Sequence, residues 1–193
     1  MLGRRQFFVI LAAVVVVSVG GGWIWSATSD NDPEPPALTL VPQPGDQTIP
    51  TNAANEGTPL PTVDLFSADG DTVSTADLFT KPVVINFWFS TCEPCRREMP
   101  VLQEAHQEWE GQVDFIGVNP QDNPEAAEKF AAKYGVDYQL LLDRNGVLVS
   151  EIGVSTFPTT LFVNTAGNVV LQYAGELTAE EIRTGISKAF GLG

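Results

Sequence analysis

Residues 83–100 read VVINFWFSTCEPCRREMP, and the order of events within them decides the fold. Residues 83–89 are apolar except for Asn86, the pattern of a strand covered on both faces rather than one with a solvated side. Ser90 and Thr91 break the run, and Cys92-Glu93-Pro94-Cys95 then opens a helical pattern over 93–109. Met99, Leu102, Ala105 and Trp109 recur at spacings of three and four, which puts them on one helix face turned to a core. Pro100 is expected to bend this helix in its second turn, because it lacks a backbone donor and its ring crowds the turn before it.

Working outward, Val63, Leu65 and Val73 outline a hairpin around Asp69-Gly70. After the first helix, the pattern predicts a strand over 113–118, a helix over 124–134 and a short strand over 139–142. Strands over 159–164 and 168–173 are joined across Thr165-Ala166-Gly167. A helix over 178–190 closes the chain, with Thr178 as its cap and Glu181 at its third position. Strands alternating with helices predict an α/β fold: a central mixed β-sheet flanked by helices, with an N-terminal β-hairpin and a domain spanning 58–193.

The chain has 193 residues, 44% of them hydrophobic and 18% charged, enough for one domain with its own core. Its 24 acidic residues against 10 basic ones give a net charge of -14, and the cations form no cluster that could neutralise a run of phosphates, which excludes nucleic-acid binding. Two cysteines and one histidine are too few for a disulfide scaffold or a closed zinc site, so no metal or cofactor is expected. His106 lies three helical turns beyond Cys95 and reads as a solvated surface residue.

Residues 1–25 carry a different signal. Residues 7–25, FFVILAAVVVVSVGGGWIW, hold no charge and span about 28 Å as a helix, against a hydrocarbon core of about 30 Å. Arg4 and Arg5 precede the run and no basic residue follows before Lys81, which orients the rest of the chain outside the cytoplasm. A retained signal-anchor and a cleaved secretory signal both fit; Trp25-Ser26-Ala27 is a poor cleavage site, which favours the anchor. Arg4-Arg5 also fits a twin-arginine export signal. Residues 26–57 contain Pro33, Pro35, Pro36, Pro42, Pro44 and Pro50 among polar residues, with no apolar period to offset ordering entropy. They are expected to form a disordered tether between membrane and domain.

Two cysteines at a helix start can close a small disulfide ring, while the free amides and the dipole there favour a thiolate on the first sulfur, with Arg96 and Arg97 adding positive potential. The dipole supplies about 0.3–1 kcal/mol, whereas lowering a thiol from about 8.5 to about 7 needs roughly 2, so hydrogen bonds must contribute too. An inert staple is the plain alternative. A ring this small removes little entropy from the unfolded chain, so its value lies in being made and broken.

Taken together, NFWFSTCEPCRREMP (86–100) and VSTFPTTLFVNTAGNVV (154–170) resemble the bacterial membrane-anchored thioredoxin-like proteins of the TlpA/ResA type, which serve cytochrome c maturation. The resemblance implies a thioredoxin-like fold and a thiol-disulfide oxidoreductase in which Cys92 is the exposed nucleophile and Cys95 the buried resolving thiol. It implies that Pro158 is cis beside the disulfide, although the residues alone equally allow a trans proline ahead of a strand. Phe157 would offer backbone hydrogen bonds to a substrate peptide, and Glu93 and Pro94 would shape potential and partner contacts. Glu98, one turn beyond Cys95, would handle the buried thiol's proton; thioredoxin's own aspartate is replaced here by Asn86, which cannot titrate. Most relatives carry Trp before the first cysteine, where this chain has Thr91.

The implied partners are a protein disulfide substrate such as apocytochrome c and a membrane thiol reductant of the DsbD/CcdA kind. The chain itself is expected to be a monomer on the extracytoplasmic side of a bacterial cytoplasmic membrane. Two alternatives stand beside this reading. A peroxiredoxin-like peroxidase would want Thr or Ser where Phe89 stands, and a non-catalytic thiol-binding chaperone would hold partners without exchange.

Overall fold

A computed structural model describes residues 51–193. Its elements follow in the order β1 (Asp64–Phe66), β2 (Thr72–Ser74), β3 (Val83–Phe87), α1 (Glu93–Glu108), β4 (Asp114–Asn119), α2 (Pro124–Tyr134), β5 (Gln139–Leu142), α3 (Val147–Glu151), β6 (Thr159–Val163), β7 (Val169–Ala174) and α4 (Ala179–Phe190). They build one sheet in the order β2-β1-β5-β4-β3-β6-β7. β3 pairs parallel with β4 and antiparallel with β6, so the mixed sheet expected from the sequence is present, as is the N-terminal hairpin of β1 and β2.

All five residues of β3 are buried, which is why the run shows no alternation. Its odd residues Val83, Ile85 and Phe87 enter one core with Leu65, Ile116, Leu141 and Leu161. Val84 enters the other, with Leu102 of α1 and Ile182 and Ile186 of α4. Asn86 shares the side of Val84 by the period of two, so the one polar residue of the strand faces the α1 layer.

α1 begins at the expected residue and runs through Pro100 without ending, Trp109 serving as its C-cap. Thr178 and Glu181 make the reciprocal capping box anticipated for α4. α3 was not legible: five residues are too few to show a helical period, yet Leu148 and Ile152 are fully buried. His106 is a correction. Its side chain is 26% exposed, with the ring 5.7 Å from Phe115 and 5.8 Å from Tyr138, because the edge of α1 lies over the sheet rather than clear of it.

The apolar run 7–25 and the tether up to residue 50 lie outside the described residues. No helix among the described residues is long and apolar enough to cross a membrane. The end of the expected tether, residues 52–57, is bonded to the domain: the Ala53 amide donates to Gly153 at 3.0 Å and the Gly57 amide to Val169 at 2.8 Å.

Candidate active site

The two cysteines are placed by the transition from β3 to α1. The Trp88 amide donates to the Val118 carbonyl, extending the ladder one residue past β3, and the Cys92 amide donates to the Phe89 carbonyl to close the turn. Between them, the Asp122 carboxylate accepts from the Ser90 amide at 2.6 Å and from the Ser90 hydroxyl at 2.7 Å. Asn119 holds Asp122 in turn, its side-chain amide donating at 2.7 Å. Cys92 is the N-cap of α1: its Sγ accepts from the Cys95 amide at 3.3 Å, a free donor of the first helical turn. Pro94 occupies that turn, where a missing N–H costs nothing.

Cys92 and Cys95 are joined in a disulfide with Cα atoms 5.3 Å apart. Cys95 is fully covered and Cys92 is 6% exposed, so the expected contrast of an exposed and a buried sulfur is much reduced in this oxidised state. What surface remains belongs to Cys92. The pair sits in an apolar bed of Trp88, Met99, Ala127, Phe130 and Leu142, with the Trp88 and Phe130 rings stacked at 5.1 Å. Low polarity there strengthens any charge interaction with a sulfur.

The arginines contribute less positive potential than their number suggests. Arg96 bonds Glu93 at 3.1 Å and the Tyr134 hydroxyl at 3.3 Å, and Arg97 grips Glu176 with Nη2 at 2.6 Å and Nε at 3.0 Å. Each cation thus faces its own carboxylate, leaving the helix terminus as the uncompensated positive feature beside Cys92. Glu93 and Pro94 form the solvent rim, the Glu93 side chain being 67% exposed.

Glu98 is fully buried one turn beyond Cys95. One oxygen accepts from the Leu177 amide at 2.9 Å and the other from Asn86 Nδ2 at 2.8 Å. Burial pushes its carboxyl up to about 7, against the two hydrogen bonds, which favour the charged form, while Glu176 adds a little upward push. Asn86 also donates to Thr160 Oγ1 at 3.0 Å, whereas its own Oδ1 has no partner among the described residues.

The Phe157-Pro158 bond is cis. β6 pairs with β3 so that Thr159 faces Phe87, which brings Pro158 to the end of the sheet where the cysteine turn begins. The Phe157 ring meets Phe89 edge-on at 5.2 Å and packs on the apolar bed of the disulfide. Pro158 is buried and its carbonyl accepts from Gly175 at 2.8 Å, whereas the Phe157 amide and carbonyl have no partner among the described residues.

The structure therefore brings the sequence-chosen residues Cys92, Cys95, Pro94, Glu93, Phe157 and Pro158 to one end of the sheet, with Glu98 beneath. Asp122, Asn119 and Leu177 were missed. Asn119 and Asp122 read only as turn formers ahead of α2, and nothing local in the sequence shows that Asp122 meets Ser90. Among the described residues, no group of three His, Cys, Asp or Glu side chains could hold a metal ion.

A disulfide at the first turn of a helix, beside a cis-proline on a mixed sheet of this order, defines a thiol-disulfide oxidoreductase of thioredoxin-like fold. The chain matches the Redoxin family over residues 55–186, and it belongs to that family and to its ResA-like thiol-disulfide oxidoreductases. It is 32% identical over 129 residues to the thiol-disulfide oxidoreductase ResA of Bacillus subtilis (strain 168), covering 66% of this chain and 72% of that protein. It is 24% identical over 180 residues to the ResA of Halalkalibacterium halodurans, covering 93% and 92% of the two chains. Among solved structures, MTB dsbF is 28% identical with a TM-score of 0.60 over 65% of this chain and 93% of that one. StoA from Bacillus subtilis, 24% identical, shares the fold with a TM-score of 0.56 over 65% and 96%.

Proposed function

We propose that this oxidoreductase reduces disulfides of exported proteins at the outer face of a bacterial cytoplasmic membrane, apocytochrome c foremost. The observation that carries the reading is the pairing of Cys92, the less covered cysteine of the disulfide, with the Phe157 backbone, which has no partner among the described residues, at the same end of the sheet. An extended peptide bonded to that backbone would present its own disulfide to Cys92.

The Cys92 thiolate attacks one substrate sulfur, forming a mixed disulfide and releasing the other substrate sulfur as thiolate. Cys95, its proton taken by the Glu98 carboxylate, then attacks Cys92 and releases the second substrate thiolate. Two electrons pass to the substrate, and Cys92 and Cys95 are left joined. A membrane dithiol reductant of the DsbD/CcdA kind would recharge the pair. The charge-free run 7–25 supports an anchor that keeps a monomeric domain near that reductant, and similarity to the ResA proteins supports the substrate class.

The test is capture by the full-length Cys95→Ser chain in its native membrane. A c-type cytochrome precursor linked through Cys92 is the expected product, absent from the Cys92→Ser, Cys95→Ser double variant. Recovery of unrelated exported proteins alone would replace the cytochrome with a broader substrate class. Partner binding that survives loss of both sulfurs would replace exchange with simple holding.

A further inference from the structure

Asn52 reaches across the loop that carries Phe157 and Pro158. Its Oδ1 accepts from the Ser155 amide at 2.8 Å, the Thr156 amide at 2.9 Å and the Ser155 hydroxyl at 3.4 Å. Its Nδ2 donates to Thr159 Oγ1 at 2.6 Å, and that hydroxyl donates onward to the Thr156 carbonyl at 2.8 Å. One side chain therefore engages polar groups on both flanks of the cis-proline and skips Phe157, whose amide and carbonyl stay unpartnered among the described residues. Its neighbours secure it there: the Ala53 amide bonds the Gly153 carbonyl, and Asn55 Nδ2 donates to the Ile152 carbonyl at 2.9 Å.

We propose that Asn52 is a positioning residue for substrate binding: it occupies the Ser155 and Thr156 amides and the Thr159 hydroxyl and immobilises the loop, so that the Phe157 amide and carbonyl are held ready for a peptide. Holding the loop in advance removes the entropy that a peptide would otherwise lose in ordering it. The inference rests on Phe157 pairing with substrate backbone, as proposed above, and adds the residue that shapes that edge.

The experiment compares the full-length wild-type, Asn52→Ala and Asn52→Asp chains on a disulfide-bonded peptide, on the same peptide N-methylated beside its cysteine, and on the small disulfide 5,5′-dithiobis(2-nitrobenzoate). Asn52→Ala should raise KM for the unmodified peptide about tenfold, the effect of losing two or three modest hydrogen bonds. The loss toward the small disulfide should be several times smaller. Asn52→Asp keeps the oxygen that accepts from Ser155 and Thr156, and should restore KM to within about threefold of wild type. An equal loss on peptide and small disulfide, with a lowered Tm, would make Asn52 a general brace and overturn the proposal, as would an unchanged peptide KM. If N-methylation leaves the wild-type KM unmoved, the pairing at Phe157 is what fails.

Discussion

Glu98 shows how one residue acquires its chemistry from its surroundings. A glutamate three places after Cys95 was visible in the sequence, and the helical period put it on the same face. Its full burial, the Leu177 amide and Asn86 beneath it were not visible, since two of these depend on other elements. With a carboxyl near 7 when folded against an ordinary 4.5, the native state holds a proton that the unfolded state has lost. Stability contributed by this group is thus full below about pH 4.5 and declines as pH rises to about 7. Glu98→Gln should flatten that decline by up to about 3 kcal/mol, read as the difference between variant and wild type in urea unfolding from pH 4.5 to 8. The same variant should slow release of the mixed disulfide at pH 7.5 by about 10²-fold, and erase the rise in that rate through pH 7, in stopped-flow assays.

At the scale of elements, periodicity delivered the strands and the long helices, and failed where an element was too short or a contact too distant. α3 is the first case. The clamp of Asp122 on Ser90 is the second: a turn after β4 fixes the turn after β3, 32 positions apart along the chain. Asp122→Ala should cost about 1–3 kcal/mol in denaturant unfolding and lower turnover of peptide and small disulfides alike, because the cysteine turn itself loosens. α4 lies directly against the sheet at Gly185. A Cβ at Gly185 would overlap the Phe162 ring, so glycine there permits the approach. Gly185→Val should destabilise by about 1–3 kcal/mol, seen as a lower denaturant midpoint, with the disulfide still reducible by dithiothreitol.

For the molecule as a whole, composition separated a charge-free N-terminal run, a proline-rich stretch and a domain, but it placed the start of the domain too late. Residues 52–57 lack an apolar period, yet their side chains and amides are tied to Gly153, Ile152, Val169 and Gln172. A chain starting at Gly57 should unfold about 2–3 kcal/mol more easily than one starting at Thr51, measured by urea titration, from the loss of several partly exposed hydrogen bonds. Taken alone, the sequence determined the α/β architecture and the dithiol at a helix start, since both follow from local periodicity and local backbone termini, and it pointed to the class of chemistry through the family resemblance that residues 86–100 and 154–170 carry. Only the tertiary structure decided how far Cys92 is covered, which arginines are neutralised, where Glu98 titrates and that Asn52 grips the proline loop. Those properties arise from contacts such as Asn52 with Thr159, 107 positions apart, whose meeting is set by sheet register and packing rather than by neighbours along the chain.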